Sequence, residues 1–337
     1  MNENGLKYVR QGCIVNLFIS LLCCFVTMLP GQESEPEKNP FVIFLPIGYD
    51  YMRLNGQTVH RPAAGIGFMS GEQDLPFNQV ENRFLFMAMY MPSIFTEKPQ
   101  PEIPKLYHEI SGLFDGRLGR HQILAIFQSN SDRPLSGLNT FQVGAGWGYE
   151  VIRRSNVSLI LGSVLVVGDF SDMLPFEIST PIMPFPLIRF GIDTEWFASS
   201  LDFITGPNLE FTIAPKERVR FTGDIRIETY RSIADFNCEF TLWYRLFKPD
   251  HKLGDFAGVG VGFKNELVGF NLSNNIQGDT FELQQSSISA ALDLSIIKIQ
   301  AGWVINSNYL LDGERSGSPG NGFMFSIQGM IPVINRQ

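Results

Sequence analysis

The feature that most constrains this chain is the alternation of apolar and polar residues from Val219 to Arg231, VRFTGDIRIETYR. Successive side chains of a β-strand point to opposite faces, so the alternation predicts a strand with one apolar and one charged face. About ten residues of this kind can cross a bilayer when the strand is tilted by roughly 45°. The segment therefore fits a membrane barrel, or an unusually long strand of a soluble sandwich.

The same alternation recurs along the chain, in roughly 12 to 14 segments of about 8–14 residues. Helical periodicity is nearly absent, with exceptions expected at Pro104–Phe114 and near residues 78–83. Because the pattern resumes on both sides of every Pro- and Gly-rich linker, residues 41–337 are predicted to form a single domain. The clearest segments are Phe141–Val151, Val157–Val167, Ile188–Trp196, Leu209–Ile213, Phe236–Leu246, Val259–Phe263, Ile288–Leu294, Ile297–Ile305 and Phe323–Val333.

Residues 1–31 have the pattern of a signal peptide for secretion. Lys7 and Arg10 form a positive region, Ile14–Met28 is apolar, and Gly31 is a small residue before a cleavage site. The apolar run is short for a transmembrane helix, although an uncleaved anchor is the alternative.

The cysteines fit an exported protein without disulfides. Cys13, Cys23 and Cys24 lie in the predicted signal, which leaves Cys238 alone in the mature chain. Lipid attachment at Cys23 or Cys24 is a further alternative, weakly supported by the preceding residues. Residues 32–40 are acidic and polar, and are predicted to form a flexible leader.

Composition excludes some functions. The net charge is −8 and no run rich in Lys and Arg occurs, which argues against nucleic acid as a partner. The four histidines lack the spacing of a metal site, so neither a metal nor a cofactor is expected.

His121 and Ser129 would be too far apart on one strand to act together, and we expect no enzyme activity. Gly144 and its neighbours Gly146 and Gly148 alternate with aromatic residues, which favours close packing over a nucleotide-binding loop.

Strand length and the polar faces favour a barrel over a sandwich. Val219–Arg231 and Phe236–Leu246 are about twice the usual length of roughly 5–6 residues. Acids and bases share one face of successive strands, as in a hydrated lumen. The candidate lumen-lining residues are Glu210, Arg220, Asp224, Arg226, Glu228, Glu239 and Arg245. Aromatic residues near strand ends are candidates for the membrane interfaces, namely Trp196, Tyr230, Trp243 and Tyr244.

The stretch Pro184–Arg245 resembles uncharacterised bacterial outer-membrane β-barrel proteins. It contains PFPLIRFGIDTEWF, a Gly-Pro turn, and paired strands ending in Tyr-Arg, and the resemblance extends from about Leu106 to the C-terminus. It implies a location in the bacterial outer membrane, with lipid and the outer-membrane assembly machinery as partners, and brings no catalytic residues. The chain departs from many such proteins by ending in Asn335-Arg336-Gln337 rather than in an aromatic residue.

The sequence thus predicts an all-β, antiparallel, up-and-down transmembrane β-barrel of roughly 12 (12–14) strands. A barrel of this size is too small for an open general porin, which takes roughly 16–18 strands. The expected function is a narrow channel or transporter for small or amphipathic solutes. The alternatives are a plugged barrel that displays extracellular loops for structure or surface interaction, and a secreted β-sandwich. The oligomeric state and the solute stay open.

Overall fold

The computed structural model describes residues 41–70, 82–99, 103–169, 181–203, 206–227, 236–247, 257–273, 280–294 and 296–336. The predicted signal peptide, the leader, and the candidate residues Glu228 and Tyr230 lie outside the described residues, as does most of the helix expected near 78–83. The described helical structure is a single 3-10 turn, Leu138–Thr140. No helix in the described part is long and apolar enough to span a membrane.

Nearly everything else is β-strand. The strands are β1 (Phe41–Leu54), β2 (Gln57–Ser70), β3 (Asn82–Phe95), β4 (Leu106–Leu118), β5 (His121–Ser131), β6 (Gln142–Arg154), β7 (Val157–Val167), β8 (Ile182–Asp193), β9 (Phe197–Phe203), β10 (Pro207–Ile213), β11 (Val219–Ile227), β12 (Phe236–Arg245), β13 (Gly258–Asn271), β14 (Thr280–Asp293), β15 (Ile297–Leu311), β16 (Glu314–Gly317) and β17 (Gly322–Arg336).

These strands form one closed antiparallel barrel. Each barrel strand pairs with its neighbour in the chain, and β17 pairs with β1 along its whole length to close the circuit. The short strand β16 forms a hairpin with β15 outside the circuit, because β15 itself pairs with β17. In the described part of the chain, the barrel therefore has sixteen strands with one extra strand, and closure leaves the barrel circuit itself without an unpaired edge.

The predicted number of roughly 12 strands was wrong because the first strands do not alternate cleanly. In β3, the sequence NRFLFMAMYMPSIF is apolar on both faces. The helix predicted at Pro104–Phe114 is also wrong, since Leu106–Leu118 is strand β4. One end of β4 packs inward against a hydrophobic core, so apolar residues occur on both faces and the period of two is obscured.

The two ends of the barrel differ. At one end, here called the turn end, the described chain begins at Phe41 and finishes at Arg336, and most connections are short. The opposite end is called the loop end, where β1 and β2 are joined by the tight turn Asn55-Gly56. The other connections there include residues 96–105, 132–141, 168–181, 228–235 and 272–279; the turn end has two longer ones, 71–81 and 246–257. Short turns face the periplasm in outer-membrane barrels and longer loops face outward.

The outer surface of the barrel is apolar. Phe221 and Phe240 stack on neighbouring strands with their ring centroids 6.1 Å apart, and large apolar side chains are exposed around the wall. Examples are Leu165, Leu242, Val261, Ile288, Trp303 and Val333. A closed barrel satisfies all its backbone hydrogen bonds internally, and an apolar exterior of this extent is stable in lipid rather than in water. The chain is a porin-like β-barrel of the bacterial outer membrane.

Candidate functional site

The lumen is divided by a contact between two strands on opposite walls. Ser131 at the end of β5 forms a parallel bridge with Asn271 at the end of β13. The carboxylate of Asp132 accepts hydrogen bonds from the Ser273 backbone N–H and hydroxyl, both at 2.8 Å. The Asn139 amide donates to the Leu272 carbonyl at 3.2 Å. At the loop end, this cross-lumen bridge separates a first half of the lumen, bounded by β1–β5 and β13–β17, from a second half bounded by β5–β13.

An aromatic core fills the loop end of the first half. The rings of Tyr107 and Phe270, from opposite walls, stack with centroids 4.3 Å apart. Phe95 meets Phe281 edge-on at 5.8 Å. Pairs of this kind contribute about 0.5–1.5 kcal/mol beyond their buried area. The buried members of this aromatic core are Met52, Val59, Phe95, Ile103, Tyr107, Val268, Phe270, Leu272, Phe281, Leu283 and Tyr309.

A buried ion cluster lies beside the aromatic core. The guanidinium of Arg61 on β2 is 3.4 Å from Glu266 on β13, 3.5 Å from Glu109 on β4 and 4.0 Å from Asp50 on β1. Lys264 adds a second cation 3.0 Å from Glu266. Because β2 and β13 are not neighbours in the sheet, the ion cluster connects opposite walls and occupies the first half of the lumen.

In the wall of the second half nearest β5, apolar side chains pack directly over three glycines of β6. Gly144, Gly146 and Gly148 on β6 lie under Ile126 on β5, Val164 on β7 and Leu187 on β8. A Cβ at the three glycines would approach those side chains to 3.0, 2.6 and 2.8 Å respectively. The three glycines therefore allow close packing, as predicted, and the segment is a strand rather than a nucleotide-binding loop.

Charged side chains tie the same wall together. Arg189 on β8 contacts Asp115 on β4 at 2.6 Å and Asp202 on β9 at 2.5 Å. Glu150, which is fully buried, pairs with both Arg117 and Arg153. Each described carboxylate in these two groups has a cation in contact. These charged side chains therefore form ion pairs within the wall more than they line open space.

An open cavity of about 620 Å³ lies in the remainder of the second half. Strands β7 to β12 provide most of its lining, and Lys298 on β15 reaches it from across β13 and β14. Hydroxyl and charged groups dominate the inward side chains, which include Ser158, Asp193, Ser200, Glu210, Thr222, Asp224, Glu239 and Lys298.

The structure brings several of the predicted lumen residues together at this cavity. Glu210, Asp224 and Glu239 all line it. Asp224 is 2.7 Å from Arg226 on the same face of β11, and Glu239 is 3.0 Å from Lys298. Glu210 accepts a long hydrogen bond of 3.4 Å from Asn208. Alternation along β10, β11 and β12 places these groups on one face, opposite the apolar exterior.

Two other predicted lumen residues lie nearer the turn end. Arg220 is 3.9 Å from Asp293 on β14. Arg245 is buried and donates a hydrogen bond of 2.8 Å to the Pro215 carbonyl. Arg245 therefore holds the connection between β10 and β11 in place, while Arg220 contributes charge to the lumen.

The predicted interface aromatics have different positions. Trp196, with 66% of its surface exposed, lies in the connection from β8 to β9, and Tyr244 is exposed on the outer face below Arg218. Trp243 was wrongly assigned to an interface, because it is only 5% exposed and points inward. The side chains of Trp243 and Tyr244 alternate, so only one of them can face lipid.

Trp243 instead belongs to the charged lining. Its indole N–H donates to the Thr222 hydroxyl at 3.1 Å. The ring lies between two cations, with the Arg220 guanidinium 5.9 Å and the Lys298 ammonium 5.7 Å from its centroid. Such cation–π contacts orient both cations beside the cavity.

Sequence reasoning missed Lys298, Asp193 and Arg61. Lys298 alternates with Ile297 and Ile299, a signal that could have placed it on the inward face. The pairing of Lys298 with a carboxylate three strands away depends on barrel closure, which no local pattern encodes.

The residues considered for catalysis do not meet. His121 lies on the outer surface with its ring 5.7 Å from Trp147, whereas the buried Ser129 hydroxyl donates to the Thr140 carbonyl at 2.6 Å. Within the described ranges, no group of three or more His, Cys, Asp or Glu side chains is placed to hold a metal ion.

No protein-family model and no curated protein matches this chain. Among solved structures, it is similar to OccAB1 of Acinetobacter baumannii, with 10% identity, a TM-score of 0.36, and coverage of 91% of this chain and 99% of that chain. OccK7 (OpdD) of Pseudomonas aeruginosa has 13% identity, a TM-score of 0.35, and coverage of 89% and 100%. An outer membrane channel from Pseudomonas putida F1 has 8% identity, a TM-score of 0.32, and coverage of 90% and 98%. Because these sequence identities and TM-scores are low, the similarities carry no argument about the function of this chain.

Proposed function

We propose that this barrel is a narrow channel for small polar solutes and that solutes pass through the second half of its lumen. The observation that carries the proposal is the polar cavity of about 620 Å³ lined mostly by β7 to β12 inside a closed barrel. The first half is occupied by the aromatic core and the ion cluster, so it offers solutes no comparable polar space.

The dimensions of the barrel support a channel. Barrels of roughly 16–18 strands are wide enough to leave an aqueous passage. Here the cross-lumen bridge and the aromatic core remove part of that width, which favours a restricted passage over the wide pore of a general porin. A charged ring in a restricted passage determines which ions and solutes enter.

The charges at the cavity favour cations. The lining includes the carboxylates of Asp193, Glu210, Asp224 and Glu239 but only one ammonium group, from Lys298. Asp224 and Glu239 have cationic partners. Among the described residues, Asp193 and Glu210 have no cation within ion-pair distance, so their charges are available to attract a positively charged solute.

Single-channel recording tests this proposal. The folded barrel, reconstituted in a planar bilayer, should give discrete current steps with a reversal potential that indicates cation preference. Glu210→Gln should weaken the preference, because it removes an unpaired charge from the cavity. The matched control is Glu97→Gln, which removes an exposed carboxylate of the segment between β3 and β4 and should leave the reversal potential unchanged.

A plugged barrel that displays its loops is the second candidate function. The aromatic core and the hydrogen bonds from Ser273 to Asp132 favour it, because they close part of the lumen at the loop end. A folded barrel that shows heat-modifiable mobility on a gel but gives no current steps would support this candidate and contradict the channel.

A further inference from the structure

A crevice of about 780 Å³ opens on the outside of the barrel at the loop end. Its lining includes Arg53 at the end of β1, Phe323 at the start of β17 and Trp303 on β15, together with Leu54 and the turn residues Gly56 and Asn321. Trp303 and Phe323 are exposed, and the residues on either side of Arg53, Met52 and Leu54, are buried toward the lumen. The side chains of Arg53, Trp303 and Phe323 therefore face the surrounding membrane and not the channel.

The backbone at the crevice is closely packed. A Cβ on Gly322 would lie 1.9 Å from the Arg53 carbonyl oxygen, so only glycine lets β17 begin this close to β1. This contact fixes the backbone from which the Arg53 side chain extends, at a level two residues below the tight turn Asn55-Gly56. Arg53 thus lies near the outer rim of the barrel.

Arg53 has an unusual setting for a lipid-facing cation. No carboxylate of the described residues lies within ion-pair distance of it. The neighbouring outward positions carry Tyr49, Tyr51 and His60. Tyr51 pairs with His60 and Arg53 with Thr58 across the β1–β2 ladder, so Arg53 and His60 are diagonal neighbours with Cα atoms about 7–8 Å apart.

His60 is held in one orientation by its tyrosine neighbours. The Tyr49 hydroxyl is 2.7 Å from His60 Nδ1, and the Tyr51 ring meets the imidazole edge-on at 5.3 Å. We assign the phenol as the donor to Nδ1, an assignment that places the imidazole proton on Nε2 and leaves that N–H as a donor. A guanidinium and an oriented N–H donor therefore share one outward face beside two exposed aromatic rings.

We propose that this crevice is a docking site for a phosphate-bearing lipid headgroup of the outer leaflet. Arg53 and His60 donate hydrogen bonds to the phosphate oxygens, and Trp303 and Phe323 pack against the apolar part of the lipid. Arginine binds phosphate with charge-assisted hydrogen bonds, and basic residues near a membrane surface attract anionic lipid. Charge complementarity and the apolar wall below the rim, where Ile47 and Ile327 are exposed, together identify a lipid as the occupant.

The proposal is tested by lipid retention in native mass spectrometry of the full folded barrel. Purified barrel in detergent is mixed with phosphatidic acid, or with diacylglycerol of the same acyl chains as the uncharged comparison. Phosphatidic acid should be retained and diacylglycerol should not. Arg53→Gln should weaken retention of phosphatidic acid roughly tenfold or more, since it removes charge-assisted hydrogen bonds. Arg133→Gln, which removes an exposed arginine of the β5–β6 connection, should leave retention unchanged.

Three results would overturn the docking site. One is equal loss of phosphatidic acid in Arg53→Gln and Arg133→Gln, and another is equal retention of phosphatidic acid and diacylglycerol. The third is displacement of the lipid by millimolar inorganic phosphate, which would identify a site for free phosphate. If Arg53→Gln fails to fold by heat-modifiable mobility, His60→Phe provides the same test, because it keeps an aromatic contact with Tyr51 and removes the Nε2 donor.

Discussion

Replacing Arg61 by methionine should destabilise the barrel severely. The guanidinium is only 7% exposed and lies within 4.0 Å of three carboxylates on three different strands, those of Asp50, Glu109 and Glu266. Arg61→Met keeps much of the side-chain volume but leaves these carboxylates together with Lys264 as the only cation of the described residues within ion-pair distance of them. Removing one partner of a buried ion pair costs about 3–5 kcal/mol, because the remaining charge stays buried without compensation.

The matched control is Lys105→Met at an exposed ion pair. The Lys105 side chain is 46% exposed and its ammonium is 3.8 Å from Glu97. Ion pairs of this kind contribute about 0.2–1 kcal/mol, since water and salt screen them. The two substitutions remove the same charge and differ chiefly in burial.

The free energy of unfolding should be measured by urea titration of the barrel in lipid vesicles, with the unfolding and refolding curves required to coincide. A double variant, Arg61→Met with Glu109→Gln, should recover about 0.5–3 kcal/mol of the loss because it removes one uncompensated carboxylate. If Arg61→Met costs no more than Lys105→Met, or if Glu109→Gln worsens it, the buried ion cluster does not connect the two walls as described.

Three further changes test the lipid-facing surface, the glycine packing and the cross-lumen bridge. Ile288→Arg, near the middle of β14 and exposed on the outer wall, should cost about 2–4 kcal/mol in vesicle unfolding, while Ile288→Phe should be nearly neutral. Gly146→Ala should cost about 1–3 kcal/mol because its Cβ would lie 2.6 Å from Val164, whereas Gly48→Ala, with its nearest atom at 3.4 Å, should cost far less in the same assay. Asp132→Ala should enlarge the single-channel current by releasing Ser273, and Glu97→Ala, which removes an exposed carboxylate of the β3–β4 connection, should not; equal currents would show that the bridge does not narrow the passage.

The sequence predicted the barrel class because alternation is a local property. Along β11 and β12, each inward charged residue is followed by an outward apolar residue. The period of two in the sequence therefore matches the faces on which the side chains lie. The same approach failed for β3, which is apolar on both faces over most of its length, and for the start of β4, where the inward Tyr107 belongs to the aromatic core. Five strands precede the first clear segment, and missing them led to the low strand count.

The site could be predicted only in part, for a related reason. Face assignment placed Glu210, Asp224 and Glu239 together because they occupy one face of neighbouring strands. The cross-lumen bridge joins residues more than a hundred positions apart, and Ser131 and Asn271 have no sequence pattern that pairs them. Trp243 was misassigned because aromatic residues near strand ends are frequent at interfaces, although its own alternation already placed it inward.

The most direct test of the proposed passage is cysteine modification during single-channel recording. In a Cys238→Ala background, Ser200→Cys places a thiol in the cavity of the second half, and Leu283→Cys places one in the aromatic core. A charged methanethiosulfonate reagent should reduce the current of the Ser200→Cys channel and leave that of Leu283→Cys unchanged. Reduction at Leu283→Cys but not at Ser200→Cys would place the passage in the first half of the lumen and contradict the proposal.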